Sequence, residues 1–176
     1  MNNMKKLIFV IVIGIGLTTT PSLFADDETA TVSEAGVSFS YPKGWTKEIK
    51  DVAARIDIAV SNGKGTSFMV QVYKIPVTPA KLSKAYDTNF KKSFAGKLIP
   101  AREKKSERTF LGKKREGKTI AVEKTKTVYS TIDLYTLQLT KQKKTCMFVF
   151  QSDNQDINAE KAFAAIAKSL KEVVVE

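Results

Sequence analysis

The chain has no histidine, one cysteine and one tryptophan in 176 residues. The missing imidazole removes the commonest general base at neutral pH and the commonest ligand of zinc, copper and haem iron. Ser-His-Asp and Cys-His catalysis are therefore excluded. The lone thiol, Cys146, can form no internal disulfide. It lies in Thr145-Cys-Met-Phe-Val-Phe150, which reads as a buried strand, so a packed core thiol is expected rather than a reactive one. Long apolar runs are scarce too. Leu7 to Leu17 spans eleven residues, interrupted by Gly14 and Gly16. A helix needs about 20 residues to cross a bilayer, so this run is too short.

That run follows a basic start, Met1 to Lys6, and precedes a more polar exit with Pro21 that ends Leu23-Phe-Ala25. Positive, apolar, then small is the order of a secretory signal peptide. Leu23 is larger than the residue usual three places before a cut. Cleavage is expected after Ala25, making residues 1–25 a signal peptide and the mature protein periplasmic or secreted. No cysteine near the cut could carry a lipid anchor, and no transmembrane segment is expected after cleavage. Residues 26–34 read as a flexible lead-in. Residues 35–176 read as a single domain, expected to be a monomer. About 150 residues can bury roughly two thirds of their unfolded surface, enough for a core without disulfides.

Acidic charge is also in deficit. The formal charge is +11, of which Lys5 and Lys6 belong to the leader. From Lys97 to Lys126 there are eleven basic residues and four acids, and Lys141, Lys143 and Lys144 follow. An excess of one sign favours anionic partners. The candidate binding residues are Arg102, Lys104, Lys105, Arg108, Lys113, Lys114, Arg115 and Lys118. Their charges add only if they share a face of the structure. The segment lacks the aromatic interleaving of a base-stacking platform, so nucleic acid ranks below lipid or protein.

Hydrophobic patterning supplies the elements. Val37, Phe39 and Tyr41 alternate with serines, Pro42 to Gly44 is a turn, and Trp45 is expected to fold back on the core. Residues 54–60 alternate as a strand, and Asn62-Gly63-Lys64-Gly65 is a hairpin signal into a strand carrying Phe68, Val70 and Val72. Thr78-Pro79 opens a helix with Leu82, Ala85, Tyr86, Phe90 and Phe94 on one face and Gly96 beyond its end. Residues 97–126 read as two or three short exposed strands. Val128 to Leu139 is a long strand, Lys141 to Lys144 a turn and Thr145 to Gln151 the return. Asn158 caps a last helix with Ala159, Phe163, Ile166 and Leu170 inward. This order reads as α+β, an antiparallel sheet covered by helices.

Familiar catalytic signatures fail on spacing. Gly63-Lys64-Gly65-Thr66 lacks the glycine and the hydroxyl of a phosphate loop. Ser61-x-x-Lys64 and Ser152-Asp153-Asn154 match two penicillin-recognising motifs, but Lys-Thr-Gly is absent. Asp26-Asp27-Glu28, and Asp153 with Asp156, lack calcium-loop spacing. A histidine-independent carboxylate hydrolase stays open on sequence alone.

Val37-x-Phe39-x-Tyr41-Pro42-x-Gly44-Trp45 resembles the opening of the PsbP/DcrB-like superfamily. Phe163-Ala-Ala-Ile166-Ala-Lys-Ser169-Leu170 resembles its terminal helix. The resemblance implies an α/β/α sandwich, with helices on both sides of an antiparallel sheet, and roles mostly in binding and assembly. Histidines that serve ion sites in some members have no counterpart here. No catalytic, cofactor-binding or metal-ligating residue is assigned. The reading is an exported, non-enzymatic binding or accessory protein of the cell envelope. Its expected partner is an envelope protein or, alternatively, an anionic lipid or polymer.

Overall fold

The computed structural model describes residues 29–174. The expected leader and its expected cut after Ala25 lie outside them. In chain order the strands are β1 (Thr29–Glu34), β2 (Val37–Pro42), β3 (Thr46–Val52), β4 (Arg55–Ser61), β5 (Ser67–Tyr73), β6 (Lys104–Phe110), β7 (Lys113–Glu123), β8 (Tyr129–Gln138), β9 (Thr145–Asp153) and β10 (Lys171–Glu172). Helix α1 (Pro79–Ser93) follows β5 and helix α2 (Ala159–Ser169) follows β9. A seven-stranded antiparallel sheet runs β3-β4-β5-β9-β8-β7-β6, and a three-stranded sheet runs β1-β2-β10.

The large sheet is covered on both sides. Phe68, Val70 and Val72 of β5 and Cys146, Phe148 and Phe150 of β9 point to one face, under β2 and α2. Met69, Tyr73, Met147 and Val149 point to the other, under α1. Two-sided burial explains why β9 reads as a continuous apolar run instead of an alternation. Aromatic edges knit the first face. Phe68 meets Phe39 with centroids 4.9 Å apart, and Phe150 meets Phe163 at 5.3 Å. The fold is α+β, with helices on both sides as expected.

Local chemistry sets the elements. Thr78 Oγ1 accepts the Lys81 amide at the start of α1, and Leu82, Tyr86 and Phe90 are its buried stripe. Gly44, at φ +92°, completes the turn in which the Trp45 amide donates to the Pro42 carbonyl at 3.2 Å. That turn returns the indole to the core, where it is 8% exposed.

Two expectations need correction, and one strand went unread. The lead-in is not loose from Thr29 onward. β1 pairs with β2 from Thr29↔Pro42 to Glu34↔Val37 across a tight turn with Ala35 and Gly36 at φ 52° and 93°. Alanine at positive φ is uncommon, so the turn carried a weak signal. The strand β3 was not expected, because all seven of its residues are exposed and no alternation marks it. It is held as an edge by its ladder to β4. Asn158 occupies the cap position of α2 but its side chain caps nothing. Asp156 shapes the entry instead, its carboxylate accepting the Asn158 amide and its backbone carbonyl the Ala159 amide.

Residues 97–126 form the edge hairpin β6–β7, preceded by a 3-10 turn at Pro100–Arg102. β7 pairs with β8 only from Lys118↔Leu134 to Glu123↔Tyr129, so the distal hairpin pairs with itself alone. Phe110, near its tip, packs on Tyr135 and Phe148. Gly117 sits where the two ladders part. A Cβ there would lie 2.5 Å from both the Leu134 carbonyl oxygen and the Tyr135 ring.

Truncation of Trp45 to alanine is expected to cost about 3–5 kcal/mol in a denaturant titration, as large aromatic deletions in cores do. Gly117→Ala is expected to cost about 1–3 kcal/mol by forcing the ring and the backbone apart. Burial pushes the Cys146 thiol up to about 12. An aromatic disulfide reagent should therefore label it only after denaturation, and rapid labelling of the native protein would contradict the packing.

Candidate functional site

A helix is about 10 Å wide. Seven strands spaced about 4.8 Å apart span about 29 Å. One helix cannot cover that face. Helix α1 lies over β8 and β9, and a groove remains on each side of it.

The hairpin-side groove, about 760 Å³, has an apolar floor that includes Ile120, Leu134 and Met147. Its walls carry Asp87 and Lys84 from α1, with Glu107 and Lys118 from the hairpin. Lys118 binds Asp87 at 2.5 Å and Glu103 at 2.6 Å, and Lys114 binds Glu107 at 2.6 Å. The hydrogen bond from Lys118 holds the Asp87 carboxyl below its ordinary value. That is opposite to the raised value a general acid needs.

The second groove, about 670 Å³, lies between α1 and β4–β5. Ala59, Ser61 and Ser67 give it a floor of small side chains, and Met69, Phe90 and Val149 give it apolar walls. At one end Arg55 grips Asp57 through two bonds of 2.6 and 3.0 Å, beside the hydroxyls of Tyr73 and Tyr86. Burial pushes the Tyr86 hydroxyl well above its ordinary value. Sequence reasoning missed both grooves. Their only trace was the pattern of β5, where polar Gln71 interrupts an otherwise buried stretch.

The eight candidate basic residues do not form one surface. Cross-strand register places Lys104, Arg108, Lys113 and Arg115 on the face opposite Lys105, Lys114 and Lys118. Arg102 stacks on Tyr129 at 4.2 Å and donates to its hydroxyl at 2.8 Å. Arg108 is structural. It lies 4.6 Å over the Phe150 ring and binds Glu160 at 3.1 Å and Asp133 at 3.4 Å. Arg115 is half-buried, while Lys104, Lys105 and Lys113 are exposed. Those three have no ion-pair partner among the described residues.

The rejected motifs have structural roles. Asn62 Oδ1 accepts the amides of Lys64 and Thr66, so the glycine loop turns on its own side chain. Asp153 binds Lys124 and Ser130, and Asp156 binds Asn62 and Thr66. Asp26-Asp27-Glu28 lies outside the described residues. No described helix is long and apolar enough to cross a membrane.

No protein-family model matches the chain, and neither does any curated protein. The fold is similar to the solution structure of cyanobacterial PsbP (CyanoP) from Synechocystis sp. PCC 6803, at 14% identity and a TM-score of 0.50. The match covers 88% of this chain and 98% of that one. The chain therefore has a PsbP-like fold, as its opening strand-turn implied.

Because the folded Asp87 is depressed below its ordinary 3.8, its contribution to stability is present above that pH and is lost as pH falls through the folded value. Lys118→Met removes the cause. The variant should be less stable than the parent near neutrality, with the gap narrowing below about pH 3.8. Denaturant midpoints across that range measure it, and a gap constant with pH would contradict the assignment.

Proposed function

We propose that this chain is a non-enzymatic accessory protein that acts after export and holds an acidic partner protein against the edge hairpin β6–β7. The observation that carries the reading is the exposure of Lys104, Lys105 and Lys113 without ion-pair partners among the described residues. Exposed charge of one sign steers association and is sensitive to salt. The PsbP-like fold supports the reading, because the roles of that superfamily are mostly binding and assembly. The basic start, apolar run and Ala25 exit support export.

Geometry favours a protein over a membrane. Lys104 and Lys113 point to one face of the hairpin and Lys105 to the other. A flat bilayer meets one face at a time. A concave acidic partner gripping the edge meets both, so all three charges count.

The test is capture from the native envelope at low and high ionic strength, with the parent and with Lys104→Glu, Lys105→Glu, Lys113→Glu combined. The parent should retain an acidic protein at low salt, release it at high salt and cross-link to it through these lysines. The triple variant should retain none. Sedimentation with anionic phosphatidylglycerol vesicles should recover little of either protein. A partner indifferent to both salt and charge reversal, or recovery on anionic but not neutral vesicles, would overturn the protein reading.

A further inference from the structure

Gln71 is 4% exposed and its Oε1 has no hydrogen-bond partner among the described residues. Among the described residues its amide nitrogen meets the Met69 thioether, at 3.8 Å, a weak acceptor. Such a group costs stability that an apolar side chain of similar size would not. Other buried polar atoms also lack partners, Ser106 Oγ and Tyr135 Oη among them. Those two side chains share the face away from α1. Tyr73 Oη, also without a partner, is on the α1 face beside Arg55 at the groove's end, but Gln71 is the one of these that lines the 670 Å³ groove itself. Met69, half-buried, lines the same groove.

The groove does not share the charge of the chain. Arg55 is matched by Asp57, and Lys124 by Asp153. The other charged lining residues are Glu48, Glu123 and Lys97. In a chain of net charge +11, this lining offers an anion nothing. Its walls suit a flat apolar body. Phe90 and Phe94 have ring centroids 4.7 Å apart, and methionine is an adaptable wall with favourable sulfur–aromatic contacts. The volume lies within the roughly 300–1,000 Å³ of small-molecule sites.

We propose that this groove binds a small, uncharged, aromatic molecule carrying one N–H or O–H donor, which donates to Gln71 Oε1. The ring lies against Phe90 and Met69. The donor fills the hydrogen bond that Gln71 Oε1 leaves unmade among the described residues. This site is separate from the lysines of the hairpin, so either proposal can fail alone.

Indole and 1-methylindole are the probes, since they share a ring system and differ in the N–H. Titration followed by NMR at the Met69 methyl and the Gln71 side-chain amide reads the site directly. Indole should shift both signals, and 1-methylindole should bind about ten-fold more weakly for want of the hydrogen bond. Gln71→Leu should melt no lower than the parent and bind the two probes equally. The hairpin triple variant should bind indole as the parent does. Equal affinity of the parent for both probes, no shift at Met69 and Gln71, or a Gln71→Leu chain that melts lower or fails to fold would each overturn the proposal.

Discussion

Everything in this structure follows from one sheet that must be covered on both faces. In the middle of a seven-stranded sheet, β5, β8 and β9 carry apolar side chains above and below the plane, and neither face can be left to water. The chain meets the two demands unequally. One face is closed by a second small sheet and α2, whose aromatic residues interlock with those of β5 and β9. The other receives a single helix of 15 residues. That asymmetry leaves an open groove on each side of α1. Of the most deeply covered strands, β5 and β9, the second carries Cys146, so its thiol is shielded by position.

The same alternation that builds the core divides the charge. A two-residue period sends successive side chains to opposite faces, so a basic run in a hairpin is two half-surfaces back to back. Arg108 shows a second effect. It reads as one more surface cation, but its guanidinium lies against Phe150 and two carboxylates. Its stem and head are part of the packing, as arginine's planar group allows. Lys114 and Lys118 are likewise tied to acids. Net charge in the sequence thus overstates the charge that is free to act.

Legibility depended on burial. The elements with one clear apolar period, α1, α2, β2 and β5, were read with their inward residues. Trp45 and its turn were read correctly, because proline and glycine impose a local geometry that needs no distant partner. The misses were elements with no apolar demand of their own. Strand β3 exists because β4 offers it a ladder. Strand β1 exists because β2 does, across a turn whose alanine sits at positive φ. The cap of α2 was assigned to Asn158 on residue type, whereas the loop that ties Asp156 to Asn62 and Thr66 decided which side chain was in place.

The sequence by itself determined the class of the fold, the inward faces of its helices and the absence of histidine chemistry. These depend on composition and on periods of two or of three to four residues, which are local. It also carried the strand-turn that pointed to a PsbP-like architecture. Only the tertiary structure decided how the basic residues divide between faces and which of them are neutralised by acids far along the chain. It alone placed α1 so that one glutamine lines a groove with its carbonyl unanswered. Those outcomes depend on which strands become neighbours, and strand order is set by long-range packing that no local pattern encodes.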